Sequence, residues 1–327
     1  MSFAELQRRH LHQLLAPVAS LLDAPDVSEI MINGVESIYV ERRGRLEPSR
    51  ARFRSADELM AALRGLAQWA GRSLDAEHPV LEARLPDGSR VEAVIPPAAP
   101  EGPVVAIRRF ARSGAGIGEL VRRGSLRPEG AEMLDRFVKA RKNIVIAGGT
   151  GSGKTTLLDA LAGCIPGDQR VVVIEDTREL ALPHEHVVNL EARPADARGR
   201  GEVSVRQLFR ATLRLRPDRI VVGEIRGAEA LEMIQAMTSG HGGCLATLHA
   251  TTPADALRRL ETMTLMSDVA LPASAIRRQL ASAVDVIVQV GRVPDGSRRV
   301  LGITEVGEHE RGAALRAVYG DDEEGHA

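Results

Sequence analysis

The sequence predicts an α/β protein, a small α+β unit followed by a larger doubly wound unit built on a parallel sheet. Three observations predict it. From residue 143 onward, five short apolar runs rich in β-branched residues alternate with helical or loop segments, and they are nearly continuous, as strands covered on both faces must be. In the first third, strand-like runs and a hairpin pattern bracket two helical stretches. Between them, residues 112–124 are rich in Gly, Ser and Arg and read as a linker. At 327 residues the chain also exceeds the usual size of one domain.

Residues 4–22 carry a helical pattern; 29–33 and 37–41 read as strands, with a turn at Arg43-Gly44. Ser55 is a natural N-cap for a helix over 56–70. Residues 83–96 resemble a hairpin turning at Pro86-Asp87-Gly88, and a strand over 104–110 follows. Past the linker, the pattern predicts a helix over 128–141 and strands over 143–147, 170–176, 219–224, 243–249 and 284–290. A last strand over 297–306 follows the turn Pro294-Asp295-Gly296. The predicted organisation is therefore an N-terminal domain 1–111, a linker 112–125, an α/β domain 126–310 and a disordered tail 311–327, acidic at 321–324.

Charge excludes some partners. Forty-three basic against forty-four acidic side chains leave a net charge of −1, so no global field draws nucleic acid or anionic lipid. Aromatic residues make up 2% of the chain, which leaves a core of Leu, Val, Ile and Ala and few platforms for stacking bases. Cys164 and Cys244 show no paired spacing and read as small buried hydrophobes in a reducing compartment. No run reaches the ~18 apolar residues of a membrane span, and Glu5, Arg8 and Arg9 interrupt any signal-peptide core. The expected location is the cytoplasm, with membrane association only through protein partners.

The strongest chemical signal is Gly148-Gly149-Thr150-Gly151-Ser152-Gly153-Lys154-Thr155, which fits G-x-x-x-x-G-K-[ST] and stands between a predicted strand and a predicted helix. Loop N–H groups and the helix N-terminus converge there on one anion, a nucleotide phosphate. Gly149, Thr150, Gly151, Ser152 and Gly153 form the cradle. Lys154 is expected at the β- and γ-phosphates and Thr155 on Mg²⁺, while Thr156 faces either the strand or the α-phosphate.

Such a site needs one carboxylate to hold Mg²⁺ or its water and another to orient the attacking water. Two apolar runs end in acids at the carboxyl edge of the predicted sheet: 171–174 leads into Glu175-Asp176, and 220–223 into Glu224. Glu175 and Glu224 are the expected metal and catalytic acids, and which is the base stays open. Asp176 reads equally well as a turn cap. Gly223 stands where an Asp commonly ends such a run, so Glu224 takes that role. His241, Cys244 and His249 suggest zinc, but alternation along a strand over 243–249 puts Cys244 and His249 on opposite faces. A neutral His249 at the strand edge is instead expected to position the γ-phosphate, with His241 a weaker candidate at the nucleotide.

These residues resemble the type II/IV secretion traffic ATPases, in particular the branch containing the Tad/Flp pilus ATPase CpaF and the conjugation ATPase TrbB. The resemblance spans nearly the whole chain. It rests on the phosphate loop, on the run 174–180 (similar to the family's Asp box), on 213–227 (its Walker B, in which Gly replaces Asp) and on 240–249 (its His box). Residues 31–34, 85–90 and 106–108 resemble its N-terminal domain. The resemblance implies a RecA-like ATPase domain, ATP and Mg²⁺, a homo-hexamer working on inner-membrane platform or channel proteins, and peripheral placement at the inner membrane. It also implies that Arg90 and Arg108 reach the phosphates, where a guanidinium neutralises developing charge. Arg109 is expected to point away from Arg108 by alternation. Arg214, Arg216 and Arg226 are weaker candidates, for subunit contacts. Two rival readings share these parts: a RecA-type nucleic-acid motor, which lacks its basic, aromatic-bearing channel here, and an ATP-gated scaffold with little turnover.

Overall fold

The computed structural model describes residues 3–42, 44–85, 87–109, 115–195, 199–309 and 312–320. Arg43 and Pro86 of the expected turns, residues 110–114 of the expected strand end and linker, and 321–327 of the expected tail lie outside them. The chain divides into two compact units, Met1–Ala111 and Arg112–Ala327.

The first unit begins with α1 (Phe3–Leu14) and α2 (Ala19–Asp23), separated by a 3₁₀ turn over Ala16–Val18. One helix was expected over 4–22. Pro17 breaks it, because proline lacks the N–H of an interior helical bond and its ring clashes with the preceding turn. Strands β1 (Val27–Asn33), β2 (Ser37–Arg42) and β3 (Arg45–Pro48), helix α3 (Ala56–Trp69), and strands β4 (Val80–Arg84), β5 (Arg90–Val94) and β6 (Val104–Arg108) follow. The six strands form one antiparallel sheet in the order β3-β2-β1-β6-β5-β4. Ser55 caps α3 as the sequence predicts, its Oγ accepting the Glu58 N–H at 3.1 Å.

Alternation puts Ile30, Ile32, Ile38, Val40, Leu81, Val91 and Ile107 in a core shared with Leu59, Leu63 and Leu66 of α3. The opposite face mixes charged side chains with exposed apolar ones, Tyr39, Val80 and Val104 among them. There Arg84, Arg90, Arg108 and Glu29 stand at directly opposed positions of β4, β5, β6 and β1.

The second unit runs α4 (Ile117–Arg122), α5 (Pro128–Lys139), β7 (Ile144–Gly148), α6 (Lys154–Ala162), β8 (Val171–Glu175), β9 (Val187–Glu191), α7 (Val205–Thr212) and β10 (Arg219–Val222). It continues with α8 (Glu229–Thr238), β11 (Leu245–Leu248), α9 (Pro253–Leu265), α10 (Ala273–Ala283), β12 (Val286–Arg292), β13 (Arg298–His309) and β14 (Gly312–Gly320). Its eight strands are ordered β14-β13-β12-β7-β11-β10-β8-β9. All from β12 to β9 are parallel, and β13 and β14 are antiparallel additions at one edge. Cores lie on both faces, which is why the strand runs are apolar throughout.

Three elements correct the sequence reading. Residues 117–122 of the expected linker form α4, because Ile117, Leu120 and Val121 join the core beside α6. Strand β9 was not foreseen; its Asn189 and Glu191 are exposed at the sheet edge and mask the apolar signal. Residues 312–320 of the expected disordered tail form β14, paired with β13 along its length. The Arg127 guanidinium lies 4.6 Å from the Tyr319 ring centroid and donates to Gly320 O at 2.8 Å, tying β14 to the start of α5.

Candidate active site

The parallel strands deliver their carboxyl ends to one edge. Register places Ala147 beside Leu248, Ala246 beside Val222, and Val222 beside Ile174, so the segments after β7, β8, β10 and β11 emerge as neighbours. Each strand stops before its chemical residue or on it: β8 ends on Glu175, β10 leaves Gly223 and Glu224 beyond it, and β11 leaves His249.

The loop from β7 to α6 turns on Gly151 (φ 67°) and Gly153 (φ 98°), left-handed conformations that favour glycine. Gly148 is required for another reason: a Cβ there would stand 2.6 Å from both Val290 O and Ser152 Oγ. At Gly149 a Cβ would meet nothing within 4 Å, so that side of the loop is open. Ser152 Oγ donates to Gly149 O at 2.9 Å. The buried Lys154 ammonium donates to Gly148 O at 3.0 Å and Gly149 O at 2.8 Å, and lies 3.5 Å from His249 Nε2. Thr155 and Thr156 are half-buried in the first turn of α6.

Glu175 is 3% exposed. Its Oε1 accepts the Glu179 and Leu180 N–H groups at 2.8 and 3.0 Å. Burial pushes its carboxyl up to about 7 from the usual 4.5, while the two amides hold it down. The same side chain explains the glycine that replaces aspartate at the end of β10. A Cβ at Gly223 would stand 2.9 Å from Glu175 Cγ and 3.3 Å from its Oε1, so Glu175 occupies the space an aspartate would need.

Glu224 binds on both oxygens. Its Oε1 is 2.8 Å from His249 Nε2, and its Oε2 takes the Arg226 guanidinium, which also reaches Asp176 Oδ2 at 3.6 Å. Burial, then the Lys154 ammonium, pushes His249 below the usual histidine range, although Glu224 pulls the other way. One ring nitrogen serves both neighbours: protonated, Nε2 donates to Glu224, and unprotonated, it accepts from Lys154. Lys154, His249, Glu224, Arg226 and Asp176 thus form one polar chain across the sheet edge.

Two contributors were missed in the sequence. Thr247, on β11, donates from Oγ1 to Gly223 O at 2.6 Å and fixes the chain just before Glu224. Asp159, on α6, is 3% exposed and accepts the Ala181 N–H; burial raises its carboxyl to about 6. An aspartate inside the apolar run Leu157 to Ala162 was the available signal. Arg226, weighed only for subunit contacts, bridges Glu224 and Asp176 within the chain.

The structure does not bring His241 to the loop, which corrects its assignment to the nucleotide. His241 precedes β11 at its amino end, while the phosphate loop follows β7 at the carboxyl edge, and the four-residue strand between them spans about 13 Å. Nearby, Asn143 Oδ1 accepts the Gly243 and Cys244 N–H groups, and Arg141 donates to Gly242 O. Cys244 is fully buried, its Sγ is 3.1 Å from His241 O, and burial pushes its thiol up to about 12. Both residues lie at the amino end of β11.

In the first unit, Arg90 and Arg108 are opposed across β5 and β6, and Arg90 donates to Glu82 Oε1 at 3.3 Å. Arg109 turns to the backbone, donating to Ala24 O and, at 3.0 Å, to Val27 O, as alternation predicts.

A strand, a glycine loop with an open face, a buried lysine at its base and acids at the neighbouring strand ends together define the class: a RecA-like P-loop nucleotide-binding unit that follows a smaller α+β unit in the chain. More narrowly, the chain belongs to the type II/IV secretion system protein family, whose pattern matches residues 12–313. It is 37% identical over 296 residues to the putative conjugal transfer protein Rv3659c of Mycobacterium tuberculosis, covering 89% of this chain and 84% of that protein. It is 37% identical over 304 residues to the type IV secretion system protein PtlH of Bordetella pertussis, covering 85% of this chain and 89% of the other. The fold is shared with the X-ray structure of the Legionella pneumophila ATPase DotB, with a TM-score of 0.63 and 22% identity over 88% of this chain and 79% of that one.

Proposed function

We propose that the chain is an ATP-hydrolysing motor subunit of a type IV secretion or conjugation system. The polar chain from Lys154 through His249 to Glu224, with Glu175 behind Gly223, is the observation that carries the reading. It links the lysine expected at the terminal phosphates to the acids that handle metal and water.

The residues suit a triphosphate. The loop is open at Gly149, and Lys154 rests on loop carbonyls that a phosphate would replace as its partner. They also suit Mg²⁺, which keeps several waters and binds through few carboxylates and the phosphates themselves. Thr155 would hold it directly, and Glu175 and Glu224 directly or through water; the ion would neutralise charge on the phosphate oxygens. Glu175, with its carboxyl near neutrality, suits the base that takes the proton of the attacking water. Glu224, oriented by His249 and Arg226, suits the acid that positions the metal's water shell.

The family resemblance assigns Arg90 and Arg108 to the phosphates. What supports it is their opposed register, which sets two guanidiniums on one sheet face with Cα atoms about 5 Å apart. The resemblance of the motifs, rather than any contact seen here, is the ground on which we extend the proposal to a homo-hexamer on the cytoplasmic side of the inner membrane, acting on platform or channel proteins of a type IV secretion or conjugation system. No helix among the described residues is long and apolar enough to cross a membrane.

The test is steady-state phosphate release with Mg²⁺ and ATP. Wild type should turn over, and Glu175→Gln should lose about 10²-fold or more. Equal turnover would overturn the reading. Stimulation by DNA that fades with added salt would instead favour a nucleic-acid motor.

A further inference from the structure

Strand β12 runs beside β7 with Val290 opposite Gly148, so Gly291 and Arg292, still paired with β13, continue past the end of β7 beside the phosphate loop. Arg292 is exposed, and its Nε donates to Gly151 O at 3.3 Å. Its Nη2 stands 3.0 Å from where a Cβ on Gly151 would be. The chain then turns through Pro294-Asp295-Gly296, closed by the Gly296 N–H on Val293 O and the Ser297 N–H on Asp295 Oδ1 at 2.7 Å. It returns on β13 with Arg298, whose Cδ lies 3.5 Å from a Cβ position at Gly153.

Two arginines of one hairpin therefore lie against the two positive-φ glycines of the loop. None of the catalytic roles above uses them. The N–H groups of 151–153 are those that wrap the diphosphate part of a nucleotide in such a loop. The Arg292 guanidinium is anchored on the residue that begins this N–H run, and a bond to a phosphate is stronger than its present one to a neutral carbonyl.

We infer that the β12–β13 hairpin is a phosphate-binding arm of the same unit, in which Arg292 exchanges Gly151 O for the α- or β-phosphate of the bound nucleotide. This rests on the nucleotide reading above and adds to it a guanidinium supplied from beyond the strand next to β7. The contact is to phosphates present in both ATP and ADP. It therefore contributes to ground and transition states alike, and its loss should raise KM while leaving kcat within about threefold.

Calorimetric titration of the full chain with ADP tests it, using wild type, Arg292→Ala, Arg292→Lys, Arg299→Ala and Lys154→Ala. Arg292→Ala should weaken ADP about ten- to hundredfold, the scale of a lost charge-assisted hydrogen bond. Arg292→Lys should retain part of the affinity. Arg299→Ala, on the same hairpin but paired with Asp295, should match wild type. If Arg292→Ala binds ADP within twofold of wild type while Lys154→Ala has lost it, the hairpin inference falls and the loop reading stands. If Lys154→Ala also keeps ADP, the loop reading falls with it. If both Arg292 variants are equally weak and unfold at lower temperature without nucleotide, Arg292 serves loop structure alone, and the inference is overturned.

Discussion

Replacing Glu175 with glutamine should stabilise the nucleotide-free protein at alkaline pH while abolishing hydrolysis. Glu175 is buried, and ionising it in the folded chain is opposed strongly enough to lift its carboxyl from 4.5 to about 7. At 1.36 kcal/mol per pH unit, that lift corresponds to about 3 kcal/mol. Because the folded value is the higher one, the stability is fully present below about 4.5 and is lost as pH rises through 7. Glutamine keeps a carbonyl oxygen for the Glu179 and Leu180 amides and never ionises. Urea unfolding followed by circular dichroism at pH 5 and pH 8 measures the effect. Asp159, raised to about 6 by burial, shifts both proteins in the same direction and cancels in the comparison. The variant should exceed wild type by about 1 kcal/mol or less at pH 5 and by about 3 kcal/mol at pH 8. A difference that does not change with pH, or a variant less stable at pH 8, would refute the assigned desolvation.

Two further substitutions test the packing around the site. Gly223→Asp would place a Cβ 2.9 Å from Glu175 Cγ and a second carboxyl beside a buried one, and should cost about 2–4 kcal/mol in denaturant unfolding. An unchanged midpoint would show that Glu175 does not dictate the glycine. Gly243→Ala adds a Cβ 2.0 Å from Arg219 Nη1 at φ 86°, and should cost about 1–3 kcal/mol, read as a lowered midpoint. Arg219 is confined because its guanidinium donates to Gln169 Oε1, Gly243 O and Val138 O.

The phosphate loop was legible because its determinants are local: glycines, a lysine and a hydroxyl at fixed spacing between a strand and a helix. The acids at strand ends were legible by the same logic of parallel strands opening at one edge. What was not legible depends on side chains meeting from different elements. The glycine at 223 matched the family pattern, but its physical reason, Glu175 filling the space of a side chain, lies on another strand, and Asp159 needs Ala181 beside it. His241 was misplaced because adjacency to His249 in sequence means little when a strand lies between them. Strand β14 was missed because the acidic residues beyond it outweighed a short alternating pattern, and α4 because glycine and arginine around it read as linker.

The proposed function requires that this chain hold a triphosphate at the loop through Lys154. The most direct measurement is ATP affinity of the full-length chain with Mg²⁺, comparing wild type with Lys154→Ala under conditions where both are folded. Wild type should bind saturably and the variant should lose about 30-fold or more, as expected for removing a buried charge from a phosphate site. Equal affinity in the two proteins would contradict it.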